Sequence, residues 1–323
     1  TAANTDLGTT CDIVTDALTA FGMTAEDTGH FTDIIASASS NANTNVEMLG
    51  ESFKYVAPLC GSLKFSAEDS AIALGLMANA GIKSSQAGTS LKTALSNMVS
   101  PTDSMAGAMA QYNISVTDAE GNMKSLREIM DMLRTNMKSL SEEQIDSNFE
   151  KYSQQIGMTR KEFEALGEDV QANILAETVG TEVTKNWSAE QMNSALAARF
   201  TKKELSKMTL EQKKWQLACM EGQITMYGLS EAEQAAAAST IFGKESMSGM
   251  LSIINASESD YQKLTNAIDN CEGTTKKMAD TMANSTQGQI DNFESKCEAL
   301  GIKIADGLLP HINDLLDKGM ELI

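Results

Sequence analysis

Apolar residues in the segment 65–101 recur at the three- and four-residue spacing that places them on one face of a helix. Two such runs flank a polar corner that begins at Gly81 and ends at Gly88. Ser66, followed three residues later by Asp69, has the spacing of a capping box and predicts the start of the first helix. Glycine adopts the left-handed conformation without a side-chain clash, so Gly81 predicts where that helix ends. The segment is therefore predicted to be a helical hairpin, with its second helix ending before the closing proline.

The same start signal occurs throughout the chain. A serine or threonine followed three residues later by glutamate or glutamine supplies partners for the backbone N–H groups that a helix start leaves unpaired. Competing β-alternation is missing, so the sequence predicts a mainly α fold. The pairs are Ser125/Glu128, Ser141/Gln144, Thr159/Glu162, Ser188/Gln191, Thr201/Glu204, Thr209/Gln212 and Ser230/Glu233, with acidic variants at Thr24/Asp27 and Ser66/Asp69.

The first hundred residues carry a repeated pattern. Residues 24–28 (TAEDT) recur 42 positions later as 66–70 (SAEDS), and apolar positions align at the same offset. A helical hairpin of this length is typical of solenoid proteins, in which each unit buries its apolar face on its neighbour. We therefore predict helical hairpins packed in an array, about two and a half copies long. The alternative is that two amphipathic hairpins of similar length match by chance.

Two features interrupt the helical rhythm. Pro58 lies inside the second helix of the first full hairpin and is predicted to kink or end it, because proline lacks an N–H and clashes with the preceding turn. Residues 114–124 predict a small β-hairpin, or a strand and tight turn, with Gly121 supplying the positive φ. The acidic loop also resembles a calcium loop, but its glycine and ligand spacing do not fit an EF-hand.

These patterns divide the chain into four predicted regions. Residues 1–101 form the repeated hairpins, and 102–140 add a helix, the β-hairpin and a further helix. Residues 141–229 are richer in charge and in long polar side chains, so we predict an inserted helical subdomain. Residues 230–323 regain small residues, return to the core and end in long amphipathic helices.

The terminal helices carry an apolar seam with coiled-coil spacing. Such a seam would bind a partner or another copy, or pack on the chain's own core; the spacing favours neither. The seam residues are Ile290, Phe293, Cys297, Leu300 and Ile304, continued by Leu308, Leu309, Ile312, Leu315 and Leu316.

Composition and charge narrow the functional classes. The 323 residues carry a net charge of −19, which argues against binding to nucleic acid or to an anionic membrane surface. No apolar run approaches the ~20 residues that a membrane helix needs, and a secretory signal is missing, so we expect a soluble chain. Because the sequence starts at Thr1, we expect a fragment or a processed product.

The sequence predicts no catalytic, cofactor-binding or metal site. Its five cysteines are far apart and are expected to be free thiols in a reducing cytoplasm. His30 and His311 each stand alone, and a lysine cluster at 202–214 lies among acids, as expected of a solvated face. The corner 81–88 superficially resembles a phosphate loop, but it lacks the Gly-Lys-Ser/Thr ending and a preceding strand. From the residues alone, the chain is an acidic helical interaction protein.

Several short motifs, in order, resemble the core region of phage tail tape-measure proteins. They cover roughly 1–140 and 229–323, whereas 141–228 does not match that pattern. The motifs are TDLG (5–8), DALTAFG (16–22), SSNAN (39–43), APLC (57–60), SAED (66–69), LGLMANAGIK (74–83), QAGTSL (86–91), the Ser-Pro pair at 100–101, Gly121 with the helix 126–133, IFGKE (241–245), the helix 246–255, and KMAD (277–280).

The resemblance implies part of a long, mostly helical protein in the lumen of the virion tail, made in the host bacterial cytoplasm. Such a protein, from a phage, a prophage or a phage-tail-like particle, sets tail length during assembly and leaves the tube at genome ejection. The implied partners are other copies of itself, tail tube, baseplate or tip proteins, and assembly chaperones. Two alternatives are a cell-wall hydrolase and a membrane-perturbing module with transient membrane contact, each carried by a tail protein.

Overall fold

The structure is a computed structural model that describes residues 7–118, 120–179, 189–196 and 200–284, together with 298, 302–303 and 309–310. The chain is mainly helical there, as predicted. The predicted seam of the terminal helices lies outside the described residues, apart from the exposed Leu309. The helices are α1 (Leu7–Phe21), α2 (Thr28–Asn41), α3 (Val46–Ser62), α4 (Ala67–Asn79), α5 (Ser84–Val99), α6 (Asp103–Gln111), α7 (Leu126–Asn136), α8 (Glu142–Ile156), α9 (Arg160–Glu164), α10 (Glu168–Thr178), α11 (Ala189–Leu196), α12 (Lys202–Leu205), α13 (Leu210–Tyr227), α14 (Glu231–Phe242), α15 (Met247–Ile254), α16 (Glu258–Asp269) and α17 (Thr274–Ala283), with a 3-10 turn at Ala25–Asp27.

The predicted helix starts are largely confirmed, because capping depends on residues close in sequence. Complete capping boxes begin α7, α8, α9, α12, α13 and α14, and Thr24 forms one at the 3-10 turn. Ser66 caps α4 by accepting a hydrogen bond from the backbone of Asp69, but the Asp69 side chain is engaged elsewhere. Ser188 lies outside the described residues.

The first five helices form two layers of parallel neighbours. Helices α1, α3 and α5 lie side by side, and α2 packs beside α4. At the starts of α2 and α4, His30 Nε2 lies 2.6 Å from Glu68 Oε1. At their ends, the backbone N–H of Asn43 donates to Asn79 Oδ1 over 2.7 Å. Contacts of start with start and end with end mean that these helices run in the same direction.

Close helix contacts in the first layer depend on glycine. A Cβ added to Gly61 of α3 would collide with the backbone carbonyl of Ala20 in α1. A Cβ added to Gly88 of α5 would collide with the carbonyl of Ser52 in α3. Ser52 Oγ also donates to the carbonyl of Ser84 over 2.7 Å, which joins the same two helices. Small residues at these crossings therefore set the spacing of the layer.

The main core contains residues from both ends of the described chain. Every residue of α4 from 67 to 78 is buried except Glu68, because α2, α3, α5, α7, α15 and α16 surround it. The main apolar cluster extends from Ile13 to Met137 and resumes from Leu229 to Cys271. Residues 230–271 thus return to the hairpins formed by the first hundred residues.

The intervening segment has two apolar clusters of its own. One joins α8, α9, α10 and α13, and the other joins α11, α12 and α13 and contacts Ala110 of α6. The first contains Ile145, Phe149, Ile156, Phe163, Leu175 and Met226, and the second contains Met192, Ala195, Leu196, Leu205, Leu217 and Met220.

The β-hairpin predicted at 114–124 is wrong, since the described residues of this segment form one isolated antiparallel bridge, Thr117 to Met123, and no strands. Asp118 explains the difference. Its Oδ1 accepts the backbone N–H of Asn122 over 2.7 Å, and its Oδ2 accepts the side-chain amide over 3.1 Å. This side-chain turn takes up a donor that a second strand would use, although the turn glycine has the expected positive φ of 88°.

Two predicted helix boundaries also move. Helix α3 continues through Pro58 to Ser62, because the proline lies on the exposed face and its neighbours Ala57 and Cys60 are buried in the core. The polar corner is shorter than predicted, since α5 begins at Ser84 and includes Gly88. The end of α4 is confirmed at Asn79, followed by Gly81 with φ 88°.

Candidate functional site

The residues singled out from the sequence do not converge on one site. His30 pairs with Glu68 at the edge of the hairpins, and the lysines at 202–214 lie on exposed or half-buried positions. In the part of the chain that is described, no group of three metal-ligating side chains comes together. None of the described helices is long and apolar enough to cross a membrane. The absence of a catalytic, cofactor or metal site stays a prediction.

Arg127 at the start of α7 joins three helices distant in sequence. Its Nε donates to Asp69 Oδ1 of α4 over 2.8 Å, and its backbone N–H donates to Oδ2 over 3.2 Å. Its two terminal nitrogens form a bidentate pair with Asp269 of α16, at 2.7 Å each. The hydrogen bonds that Arg127 donates to Asp269, with further support from Asp69, raise the pKa of Arg127. The negative charge of the buried Asp69 is thus balanced by the positive charge of Arg127.

Arg134, two turns further along α7, forms a second network. Its guanidinium is buried and donates to the backbone carbonyls of Ile253 and Ala256, over 3.0 and 2.9 Å. The guanidinium carbon lies 4.3 Å from the centre of the Tyr261 ring, and the Tyr261 hydroxyl donates to Asp131 over 2.6 Å. Burial, with this carboxylate, raises the pKa of Tyr261. Helix α7 therefore anchors α15 and α16 to the hairpins.

A cleft of about 260 Å³ lies where the main core meets the helices of 141–229. We call it the seam cleft; it is separate from the apolar seam predicted for the terminal helices. The end of α6, the connection after α7, α8 and the second half of α13 surround it. Its lining residues are Gln111, Tyr112, Asn113, Thr135, Asn136, Lys138, Leu140, Asn148, Leu217, Met220, Glu221, Ile224, Thr225 and Gly228.

The two chain connections to this segment run side by side at the cleft. Ser139 and Gly228 form an antiparallel bridge, and the backbone N–H of Leu229 donates to the carbonyl of Lys138 over 3.3 Å. Gly228 has φ 67°, and a Cβ there would lie 2.8 Å from both Leu140 Cγ and the carbonyl oxygen of Lys138. The position therefore requires glycine on two grounds. We call this pair of connections the double connection.

Glu221 of α13 lines the seam cleft and is half-buried. No hydrogen bond or ion pair joins its carboxylate to any residue that the structure describes. Burial raises the pKa of Glu221 to about 7, because the charged form loses hydration. Its charge therefore changes near neutral pH.

Sequence patterns did not identify these residues, because their partners lie far along the chain. Arg127 is 58 positions from Asp69 and 142 from Asp269. One feature of the sequence could have pointed to the arginines: the chain has 25 basic residues, and only four of them are arginine. The three described in full each bind carboxylates, as suits a planar group with several donors. Glu221 has no comparable signal, since it is one of 44 acidic residues.

Comparison with known proteins shows which families and proteins this chain resembles in sequence. Residues 1–152 match the family described as phage-related minor tail protein, a stretch that contains α1 to α7 and most of α8. A tape measure protein of Pneumococcus phage Dp-1 is 27% identical over 305 residues, which are 94% of this chain. The chain is similar in sequence to phage tape measure proteins. A probable tape measure protein of Escherichia phage P2 is 23% identical over 111 residues, or 34% of the chain.

The similarity to tape measure proteins covers a small part of each relative. The chain spans 19% of the Dp-1 protein, and the matched part is 14% of the P2 protein. The Dp-1 match includes most of 141–229, because 94% of the chain aligns. No solved structure matches the chain.

Proposed function

We propose that this chain is a folded structural segment of a phage tape measure protein, within a virion tail. The observation that carries the proposal is the similarity of 94% of the chain to a protein named as a tape measure protein. On this proposal the whole protein sets tail length during assembly and leaves the tube at genome ejection. An enzymatic role is not expected, and no observation favours the hydrolase alternative.

The helices suggest how such a segment would contribute. The longest described helix, α13, has 18 residues, which corresponds to about 27 Å at 1.5 Å per residue. The described helices pack around shared cores, so that part of the chain forms a folded body instead of a single rod. We infer that length is measured by other parts of the protein, and that this segment provides contacts with other copies, tail tube, baseplate or tip proteins, or chaperones.

We also propose the regional division predicted from the sequence. Alternate helices that run parallel support a repeated hairpin in 1–101, since α2 and α4 begin 39 residues apart, as do α1 and α3. Separate apolar clusters and the double connection support an inserted subdomain in 141–229. Residues 102–140 and 230–271 supply α7, α15 and α16, which complete the core.

The net charge of −19 supports a position in the tail lumen. A polyanion is repelled by DNA phosphates, so it would not retain DNA passing along the same tube. The purified chain should elute from a DNA column at or below physiological salt. Strong retention at that salt would contradict the lumenal proposal, while leaving the tail assignment to be tested separately.

The tail assignment is tested in the phage that encodes the full-length gene. Peptides from this chain should be found by mass spectrometry in purified tails, at a stoichiometry equal to that of the rest of the tape measure protein. In-frame removal of the segment should prevent tail formation or alter tail length in electron micrographs. Infectious particles with tails of normal length from the deleted gene would overturn the proposal.

A further inference from the structure

We propose that the seam cleft is a proton-sensitive hinge: with Glu221 neutral the inserted helices close against the core, and with Glu221 ionised the cleft opens. The inference concerns a conformational equilibrium of the chain itself and does not depend on the proposed function. It stands on three features of the described residues. These are the double connection, the cleft beside it, and a carboxylate in that cleft without a partner.

The double connection has the geometry of a hinge. Both chain crossings lie together at Ser139 and Gly228, so rotation there changes few backbone angles. On the core side the hinge is fixed, because Gln234 donates to the carbonyl of Met137 over 2.8 Å and exchanges hydrogen bonds with Asn255. Ser139 Oγ is buried without a hydrogen-bond partner, so the closed hinge leaves one polar group without the hydrogen bond that water would supply.

The surroundings of Glu221 offer its charge no compensation. Lys138 is the one other charged side chain lining the cleft among described residues, and no ion pair joins the two. Tyr112, at the end of α6, is the other titratable group there. Asn148 of α8 also lines the cleft, and its side-chain amide donates to the carbonyls of Thr225 and Met226.

The other helices packed on α13 bring apolar groups to it. Helix α10 approaches with Leu175 at Gly222, and α11 contributes Met192, Ala195 and Leu196 to the adjoining cluster. The acidic side chains of α8 and α10 are exposed, and none lines the cleft. They are Glu142, Glu143, Asp146 and Glu150 in α8, and Glu168, Asp169 and Glu177 in α10.

The direction of the pH effect follows from proton binding. The pKa of Glu221 is about 7 in the closed cleft and returns toward its ordinary value of 4.5 when water enters. Between these pH values the closed form binds more protons than the open form. The stability that Glu221 gives to the closed form is therefore fully present below about pH 4.5 and is lost as the pH rises through about 7. Opening must also separate Ala110 of α6 from the cluster on α11, and this apolar contact opposes it at every pH.

Hydrogen exchange with mass spectrometry tests the hinge on the full chain. Protection is compared at pH 5.5 and 8.0, after correction for intrinsic exchange rates, in peptides covering 108–116 and 217–230. The wild-type chain should lose about thirtyfold in protection at pH 8.0 in these peptides, because the pKa of Glu221 is about 7 in the closed cleft and 4.5 in the open one. Peptides from α4 should not change, because the main core stays folded.

Glu221→Gln removes the titration while keeping shape, so protection should be the same at both pH values. Glu211→Gln is the matched control, since Glu211 lies exposed on the same helix, and it should behave like wild type. If Glu221→Gln folds poorly, Glu221→Met provides a neutral side chain of similar length. A pH-independent wild type, or equal effects of the variants at 211 and 221, would overturn the proposal.

Discussion

Arg127 shows how one side chain can determine the relation of three helices. Asp69 is 6% exposed and Arg127 is its only ion-pair partner among the described residues. Arg127→Met leaves this carboxylate buried without a counter-charge, which should lower the free energy of unfolding by about 3 kcal/mol. Urea denaturation followed by circular dichroism measures the change.

The opposite end of the same network provides the control. The Asp269 side chain is 39% exposed, so Asp269→Asn should cost less than about 1 kcal/mol. Asp69→Asn combined with Arg127→Met should recover part of the loss, since the uncompensated charge is removed. Equal costs for the changes at 127 and 269 would show that burial of Asp69 is not the cause.

Cys60 provides a second prediction at the scale of single residues. It is buried, and burial raises its pKa to about 11, so the thiolate fraction at pH 8 is on the order of one in a thousand. Iodoacetamide should alkylate the exposed Cys11 at least about a hundredfold faster than Cys60. Peptide mass spectrometry resolves the two rates. Rapid labelling of Cys60 in folded protein would contradict its burial in the core.

At this scale, what could be predicted depends on the distance between partners. Ser125 and Glu128 form the predicted box because both partners lie within one turn of helix. The capping box predicted at Ser66 is only half formed, because the Asp69 side chain binds Arg127 and not the backbone of Ser66. A spacing rule cannot anticipate a partner 58 residues away, and Glu221 was missed for the same reason.

The packing of α3 on α5 depends on the absence of a side chain at Gly88. Gly88→Ala places a methyl group against the carbonyl of Ser52, so the helices must separate, at a cost of about 3 kcal/mol. Gly29→Ala is the matched control, because a Cβ there meets nothing within 4 Å. That change should stabilise α2 by about 0.5–1 kcal/mol, since alanine is the better helix former. Thermal unfolding should move in opposite directions for the two variants.

At the scale of helices, most of the hairpin region followed from sequence. Apolar spacing predicted α4 and α5, and the Ser66 cap predicted the start of α4, because both signals are local. The errors have tertiary or side-chain causes. Helix α3 tolerates Pro58 since the residues on its other face are buried, and Asp118 forms a turn in place of a strand pair.

The whole-molecule arrangement was only partly accessible from sequence. A change in composition predicted that 141–229 differs from its surroundings, and the return of small residues predicted renewed packing on the hairpins. The positions of α7, α15 and α16 around α4 could not be predicted, because they depend on long-range contacts of Arg127 and Arg134. The seam cleft arises from the same arrangement.

Removing the inserted helices tests whether the main core is complete without them. Because Ser139 and Gly228 are paired and antiparallel, a two-residue Asn-Gly turn should join them directly when 140–227 is deleted. The shortened chain should unfold cooperatively, with a smaller urea dependence in proportion to the smaller buried surface. Some stability is lost, since the face of α6 around Ala110 becomes exposed.

The matched deletion removes α7 and joins its flanking residues through a flexible linker of the same length. It should prevent folding, because four residues of α7 are buried in the main apolar cluster and the buried Arg134 binds the carbonyls of Ile253 and Ala256 at the end of α15. Near-ultraviolet circular dichroism and hydrogen exchange in α4 measure both outcomes. If the chain without 140–227 also loses protection in α4, the core and the inserted helices fold as one unit, and 141–229 is not a separate subdomain.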